Sequence, residues 1–116
     1  MYKEYLFNLE KTLPSTPSIL GIEENIPSAV LILLTLQQEE LSFVLEKRAF
    51  NIKQGGEICF PGGRFDAIKD SSFLDTALRE TEEELFIKKE KIKILGPFSK
   101  IITAMGSFIK PFVGFI

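Results

Sequence analysis

Two short stretches decide how this chain can fold, GGEICFPGGRFD at positions 55–66 and LRETEEEL at 78–85. The first places two glycine pairs around a short apolar run, and the second crowds four glutamates into a segment with helical periodicity. Glycine pairs loosen the backbone, and carboxylates one helical turn apart repel each other. Neither feature stabilises a fold by itself. Together they predict a ligand that needs both.

The composition is that of a folded domain without histidine chemistry. The 116 residues are 45% apolar and 26% charged, with a net charge of −2, one Cys and no His. Cys59, alone in an apolar run, excludes an internal disulfide and a Cys/His zinc site and indicates an inert, buried thiol. The charge gives no reason to expect a nucleic-acid or membrane partner. Catalysis would have to use carboxylates, Lys, Arg, Tyr, backbone groups or a bound metal.

The ends of the chain carry separate expectations. Residues 1–18 predict an N-terminal helical leader and a Pro/Ser/Thr connector, followed by the main domain over 19–116. The leader lacks the apolar core of a signal peptide, and the longest apolar run, 29–36, is too short to span a bilayer. A cytoplasmic protein is therefore expected. The chain stops inside an apolar, strand-like segment, which predicts either a truncated domain or a homodimer that completes the sheet.

Strand and helix patterns indicate an α+β fold. A buried strand over 28–36 is followed by a four-residue loop and a returning strand over 41–48. A helix should begin near Ser72, which with Asp75 resembles a capping box. The remaining predicted strands cover 57–61, 91–96 and 108–116.

The predicted helix carries the candidate chemistry. At 3.6 residues per turn, one stripe faces the sheet and consists of Leu74, Ala77, Leu78, Thr81 and Leu85. On an adjacent arc Glu80, Glu83 and Glu84 lie one turn apart, and Arg79 reaches only one of them, Glu83, at the i, i+4 spacing. The arc is either a solvated acidic face, as expected for Glu82, or the ligand set of a hard divalent cation. The Gly62-Gly63 strand end, where a backbone can approach a ligand, favours the second interpretation.

These residues resemble the Nudix box, G-x5-E-x7-R-E-U-x-E-E-x-G-U, where U is bulky and apolar. Gly63 matches the first glycine, and residues 79–84 match R-E-U-x-E-E. The segment between the two is two residues longer than the pattern, and Ser71 stands where the first Glu is expected. Asp66, Asp70 and Asp75 are the acidic residues that could replace that Glu. Phe86 stands at the terminal Gly, which removes the usual left-handed helix cap.

The resemblance implies a Nudix-type α/β/α sandwich with a mixed sheet, incomplete at the C-terminus, and hydrolysis of a nucleoside diphosphate derivative. Mg²⁺ or Mn²⁺ would be bound by Glu80, Glu83, Glu84 and the Gly62 carbonyl. Arg79 would orient the glutamates, and Glu83, or in second place Glu84, would help to deprotonate the attacking water. Substrate phosphates would be contacted by Arg48, Lys53 and Arg64.

Within the family, the order of LILLTL (31–36), Arg48 and the glycine-rich stretch is most similar to coenzyme A pyrophosphatases. That similarity implies cleavage of coenzyme A into 4′-phosphopantetheine and adenosine 3′,5′-bisphosphate. ADP-ribose and (deoxy)nucleoside triphosphates are rival substrates. A non-catalytic Nudix-fold binding module is the rival from another class.

Overall fold

The structure is a computed structural model that describes residues 26–47, 56–104 and 106–116. The predicted leader and connector (1–18), Arg48, Lys53 and Gly55 lie outside these residues. In the described part, the secondary structure comprises β1 (Ser28–Gln37), β2 (Glu40–Val44), β3 (Glu46–Lys47), β4 (Ile58–Cys59), β5 (Gly62–Arg64), α1 (Phe73–Leu85), a 3₁₀ turn (Lys89–Lys91), β6 (Lys93–Pro97), β7 (Ile101–Ile102) and β8 (Phe108–Phe115).

The main sheet is mixed and is organised around β1. This strand pairs antiparallel with β2 along one half and with β5 along the other, while β8 runs parallel to it on its other side. The strand is apolar on both faces, as its sequence predicts, and Ala29, Leu31 and Leu33 are fully buried. β6 and β7 pair antiparallel with β8. The prediction of an α+β fold with a mixed sheet is confirmed.

The β1–β2 hairpin is tighter than predicted. Pairing continues to Gln37 opposite Glu40, so the turn has two residues rather than four. Gln38 and Glu39 both adopt positive φ angles, 53° and 67°, which is the backbone of the two-residue turns that match strand twist. The usual sequence signal for that turn is Asn-Gly or Asp-Gly, and this chain lacks it.

The strand predicted over 57–61 is two strands in two sheets. β4 pairs with β3 in a separate two-stranded sheet, whereas β5 joins the main sheet beside β1. Gly62 and Gly63 therefore lie within a strand of their own and do not form the predicted strand end. A Cβ on Gly62 would stand 2.5 Å from the Ala29 carbonyl oxygen, so this close strand approach requires glycine.

Helix α1 begins at the predicted N-cap, but its end differs from the prediction because Phe86 keeps a left-handed cap without glycine. Ser72 is the N-cap, and its hydroxyl accepts a hydrogen bond from the Asp75 N–H at 3.1 Å. The Asp75 carboxylate in turn accepts hydrogen bonds from the backbone and the hydroxyl of Ser71, one residue earlier than in a standard capping box. At the other end Phe86 takes the left-handed conformation, with φ 58°, and its N–H donates to the Glu82 carbonyl.

The helix packs on β1 and β5 through smaller side chains than predicted. Its buried residues are Thr76, Ala77 and Thr81, while Leu78 and Leu85 pack against the edge of the core. The burial of Thr76 was not predicted, because threonine is a polar residue. Threonine hydroxyls can be buried here because that of Thr81 donates to the Ala77 carbonyl at 2.7 Å. Small side chains bring the helix close to β5, and that closeness positions the site.

The C-terminal third departs from the predicted strands only locally. The 91–96 strand begins two residues later, after the 3₁₀ turn, and the short β7 was not predicted. β8 is confirmed. The described residues contain one α-helical layer, so the second layer of the expected sandwich is not seen among them. Within these ranges, no helix is long and apolar enough to cross a membrane.

Candidate functional site

The glycine strand and the acidic helix are in direct contact. A Cβ placed on Gly63 would lie 2.5 Å from Cδ of Glu80 and 2.6 and 2.9 Å from its two carboxylate oxygens. The Glu80 carboxylate therefore rests on the bare Cα of Gly63. The two stretches singled out in the sequence are therefore in contact with each other. Gly63, rather than Gly62, is the glycine seen to contact a glutamate.

Arg79 is the centre of the ionic network at this site. Its Nε and one terminal nitrogen donate to the two carboxylate oxygens of Asp70 at 2.8 and 2.9 Å. The Asp70 side chain is only 1% exposed, and the Thr76 hydroxyl and the Asp66 N–H also donate to it. Among Asp66, Asp70 and Asp75, Asp70 is the residue whose carboxylate pairs with Arg79.

The pKa values of this pair follow from their contacts. Hydrogen bonds from Arg79, opposed by burial and helped by the Asp66 N–H and the Thr76 hydroxyl, lower the pKa of Asp70 to about 2. The same bonds raise the pKa of Arg79 above its already high value. Both groups remain charged under all ordinary conditions, so this pair holds geometry and exchanges no protons.

Arg79 also holds two of the three predicted ligands. Its Nη1 donates to Glu80 at 2.9 Å and lies 3.4 Å from the Glu83 carboxylate. The other terminal nitrogen donates to the Arg64 carbonyl, which ties the helix to the end of β5. The predicted orienting role of Arg79 agrees with this geometry. Glu83 is 52% exposed and therefore accessible to water.

Glu84 occupies the opposite electrostatic environment. Burial, followed by the neighbouring carboxyl groups of Glu46 and Glu80, raises the pKa of Glu84 to about 10. Its Oε2 is buried and has no hydrogen-bond partner. Three carboxyl groups therefore meet at this point, and Glu84 can remain there without a cation only by keeping its proton.

These residues suit a hard divalent cation by their chemistry. All the donors are carboxylate oxygens, which Mg²⁺ and Mn²⁺ prefer, and the buried, unpartnered oxygen of Glu84 is an available ligand atom. In 26–47, 56–104 and 106–116, however, no three acidic or thiol side chains are already arranged as a coordination shell. Arg79 holds Glu80 and Glu83 instead. Binding an ion would therefore require these side chains to reorient.

The other predicted site residues are placed less directly. Arg64 lies at the end of β5, where its carbonyl accepts from Arg79. The expected substrate contacts of Arg48 and Lys53 fall outside the described residues. Cys59 is only half buried, and its thiol lies 3.6 Å from a carboxylate oxygen of Glu46. The prediction of a buried thiol is therefore wrong, because Cys59 remains partly exposed.

Sequence reasoning missed Glu46. It lies 34 positions before Glu80 in the chain, on the two-residue strand β3, and nothing in its local pattern marks it. The only available signal was its position after an alternating strand, LSFVLEKR, where one face must turn towards the domain. Asp70 was named as one of three alternatives, but spacing could not choose among them.

A mixed sheet with a glycine strand packed under an acidic helix defines the class of this domain, and a family model identifies it. The NUDIX domain model matches residues 25–115. The chain therefore belongs to the Nudix family, as its motifs predict.

Several relatives and one solved structure show the extent of the similarity. "Nudix hydrolase 3" of Caenorhabditis elegans is 36% identical over 114 residues, covering 91% of this chain and 47% of that protein. "Uncharacterized Nudix hydrolase NudL" of Photorhabdus laumondii is 30% identical over 113 residues, covering 97% of this chain and 59% of that protein. The NUDIX domain of Shewanella oneidensis NrtR, crystallised with ADP ribose, superposes with a TM-score of 0.62 at 22% identity, covering 100% of this chain and 71% of that one. The chain thus spans about half to three fifths of the length of the named relatives.

Proposed function

We propose that this domain hydrolyses the pyrophosphate bond of a nucleoside diphosphate derivative with the help of Mg²⁺ or Mn²⁺. The observation that carries the proposal is the Glu80 carboxylate against the Gly63 backbone, together with a buried oxygen of Glu84 that has no hydrogen-bond partner. Family membership and the names of the relatives support it. A solvated acidic face would show neither feature.

The metal-binding residues of the proposal are Glu80, Glu83 and Glu84, together with the Gly62 carbonyl. When bound, the ion would neutralise pyrophosphate charge and lower the pKa of a coordinated water. Water forms a new bond to phosphorus as the bridging P–O bond breaks, and its proton passes to a carboxylate. Glu83 is our first choice as the acceptor because it is the more exposed carboxylate, and Glu84 is the second.

Positively charged side chains complete the proposed site. Arg79 keeps the carboxylates in place through its bonds to Glu80 and Glu83. Arg64, at the end of the glycine strand, is proposed to contact the substrate phosphates together with Arg48 and Lys53, because guanidinium and ammonium groups suit phosphate oxygens.

Coenzyme A is the proposed substrate, with 4′-phosphopantetheine and adenosine 3′,5′-bisphosphate as products. This assignment is supported by the sequence similarity upstream of the box, and it is the finest step of the proposal. ADP-ribose and nucleoside triphosphates are the alternatives, and ADP-ribose is the ligand named for the structurally similar NrtR domain. We also propose a cytoplasmic location, a small-molecule partner rather than nucleic acid or membrane, and a homodimer.

One assay tests both the reaction and the substrate. The purified protein in its full natural length is incubated with Mg²⁺ or Mn²⁺ and coenzyme A, ADP-ribose or a dNTP, and the products are separated by chromatography. We expect coenzyme A to be cleaved fastest. Preference for another diphosphate would replace the substrate, and no turnover of any diphosphate would contradict the enzyme proposal.

The glutamates are tested with one substitution and a matched control. Glu83→Gln keeps the size of the side chain but removes its charge, so we expect the turnover rate to fall by more than ~10²-fold. Glu82→Gln, at the neighbouring exposed residue, should leave the turnover rate nearly unchanged, since Glu82 is not one of the proposed metal ligands. Equal activity of both variants would show that the site is misplaced.

A further inference from the structure

The main sheet has one face that packs against α1 and a second face on the opposite side. Leu31 and Leu33 of β1 point towards the helix, because they are buried in one core cluster with Ala77. Side chains alternate along a strand, so the even-numbered residues of β1 point to the opposite side, here called the outer face. The described residues contain no α-helix other than α1, so no helix of theirs covers the outer face.

The outer face is apolar across three adjacent strands. Leu34 is in register with Phe43 of β2 on one side and with Phe115 of β8 on the other, and residues paired in this way share a face. By the same registers the outer face carries Ile32, Leu34, Leu36, Leu41, Phe43, Val113 and Phe115. None of these side chains is buried, and Leu36 and Leu41 are 59% and 47% exposed. A contiguous apolar surface of this kind marks an interaction site.

The two edges of the outer face carry charges of opposite sign. At one edge, the exposed Glu39 lies in the turn between β1 and β2. At the other edge, the exposed Lys93 of β6 pairs with Phe115 and therefore shares the outer face. Because Phe115 is also in register with Leu34, the acidic and the basic edge lie near the same end of the strands.

We propose that the outer face binds a second copy of this chain, face to face, about a two-fold axis parallel to the strands. Rotation about that axis exchanges the two edges, so Glu39 of each copy faces the partner's Lys93, and the contact occurs twice. An axis perpendicular to the strands would instead place like charges together. The charge pattern therefore selects one closed, two-fold arrangement. It gives a surface to the homodimer in the proposed function and does not depend on hydrolysis.

The test measures the dimer dissociation constant of the protein in its full natural length by analytical ultracentrifugation, without substrate. Glu39→Lys and Lys93→Glu each place like charges at both contacts, so we expect each to weaken the dimer at least about tenfold. An equimolar mixture of the two variants restores opposite charges at both contacts, and it should dimerise within about threefold of wild type. Glu82→Lys makes the same charge change at an exposed residue of α1, on the other side of the sheet, and should stay within about twofold of wild type.

Three results would overturn the inference. They are a wild type that is monomeric at every concentration tested, single variants that dimerise like wild type, and a mixture that associates no better than its components. Glu39 and Lys93 are exposed, so equal unfolding temperatures should show that both variants fold. Diphosphate hydrolysis is assayed separately. A dimer without hydrolytic activity would reject only the proposed reaction, and an active monomer would reject only this inference.

Discussion

Asp70 and Glu84 are two acids of one domain, both in contact with residues of the same helix, and their environments are opposite. Asp70 receives two hydrogen bonds from Arg79 and two more from neighbouring groups, which lower its pKa to about 2. Glu84 meets two other carboxyl groups and keeps a buried oxygen without a partner, which raises its pKa to about 10. The comparison teaches that the fully partnered acid supports the fold, whereas the uncompensated acid marks where a ligand is needed.

Substitutions of the two adjacent glycines, Gly62 and Gly63, give the strongest test of this difference between fold and site. Gly63→Ala would push its Cβ into the Glu80 carboxylate, the end of a flexible side chain that can move aside. We expect it to fold but to lose more than about tenfold of Mn²⁺ affinity and activity, because that carboxylate is displaced. Gly62→Ala meets the Ala29 backbone instead, at 2.5 Å, so we expect a loss of folding itself.

Circular dichroism melts and Mn²⁺ titrations of both variants check this prediction. If Gly63→Ala binds Mn²⁺ like wild type, the Glu80 carboxylate is not held by this contact. If Gly62→Ala is as stable as wild type, the approach of β5 to β1 is looser than the structure shows.

The contribution of Asp70, the acid with a full set of partners, is tested by measuring the free energy of unfolding. Asp70→Asn removes the charge that Arg79 binds, and we expect a loss of about 2–3 kcal/mol in the free energy of unfolding at pH 7. The folded pKa of about 2 lies below the ordinary value of 3.8. The contribution of Asp70 is thus fully present above about pH 4 and is lost as the pH falls towards 2. Urea denaturation at several pH values measures both effects.

The variant provides its own control for the pH effect. Between pH 4 and 2, Asp70→Asn should lose less stability than wild type, because the titrating group is gone. Parallel stability curves for the two proteins would show that Asp70 does not gain its low pKa from folding.

The smallest expected effect is at the end of the helix. Phe86 is 87% exposed and holds a left-handed conformation that glycine adopts without strain. Phe86→Gly should therefore raise the free energy of unfolding by about 0.5–1 kcal/mol. Phe86→Ala is the matched control, since it removes the ring but keeps Cβ. If both variants are equally stable, the ring and not the backbone decides the effect.

Much of the fold could be predicted because local patterns and tertiary demands agree. The apolar run of β1 and the capped helix each carry a strong periodic signal, and Ser72 marks the helix start correctly. The Gln38–Glu39 turn and the split of 57–61 were missed because neither has a local signature. The first depends on backbone angles that these residues rarely adopt, and the second depends on which sheet each half joins.

The candidate site was predictable only along the helix. Glu80, Glu83, Glu84 and Arg79 follow from spacing because residues one turn apart on a helix are neighbours. Asp70 and Glu46 reach the site through a loop and a two-residue strand, where sequence spacing does not define distance. Contacts between segments that are distant in the sequence can be identified only from the structure.

The Asp70–Arg79 pair has a consequence for the length of the loop that precedes α1. Relative to the Nudix pattern, two extra residues lie between Gly63 and Arg79. The salt bridge closes this loop from inside, and the bond from Arg79 to the Arg64 carbonyl fixes its beginning. Extra residues can therefore bulge outwards, as the 96% exposure of Ile68 shows, without shifting the helix along the glycine strand. The domain can accept insertions at this point, whereas the two residues between β4 and β5 leave no comparable slack.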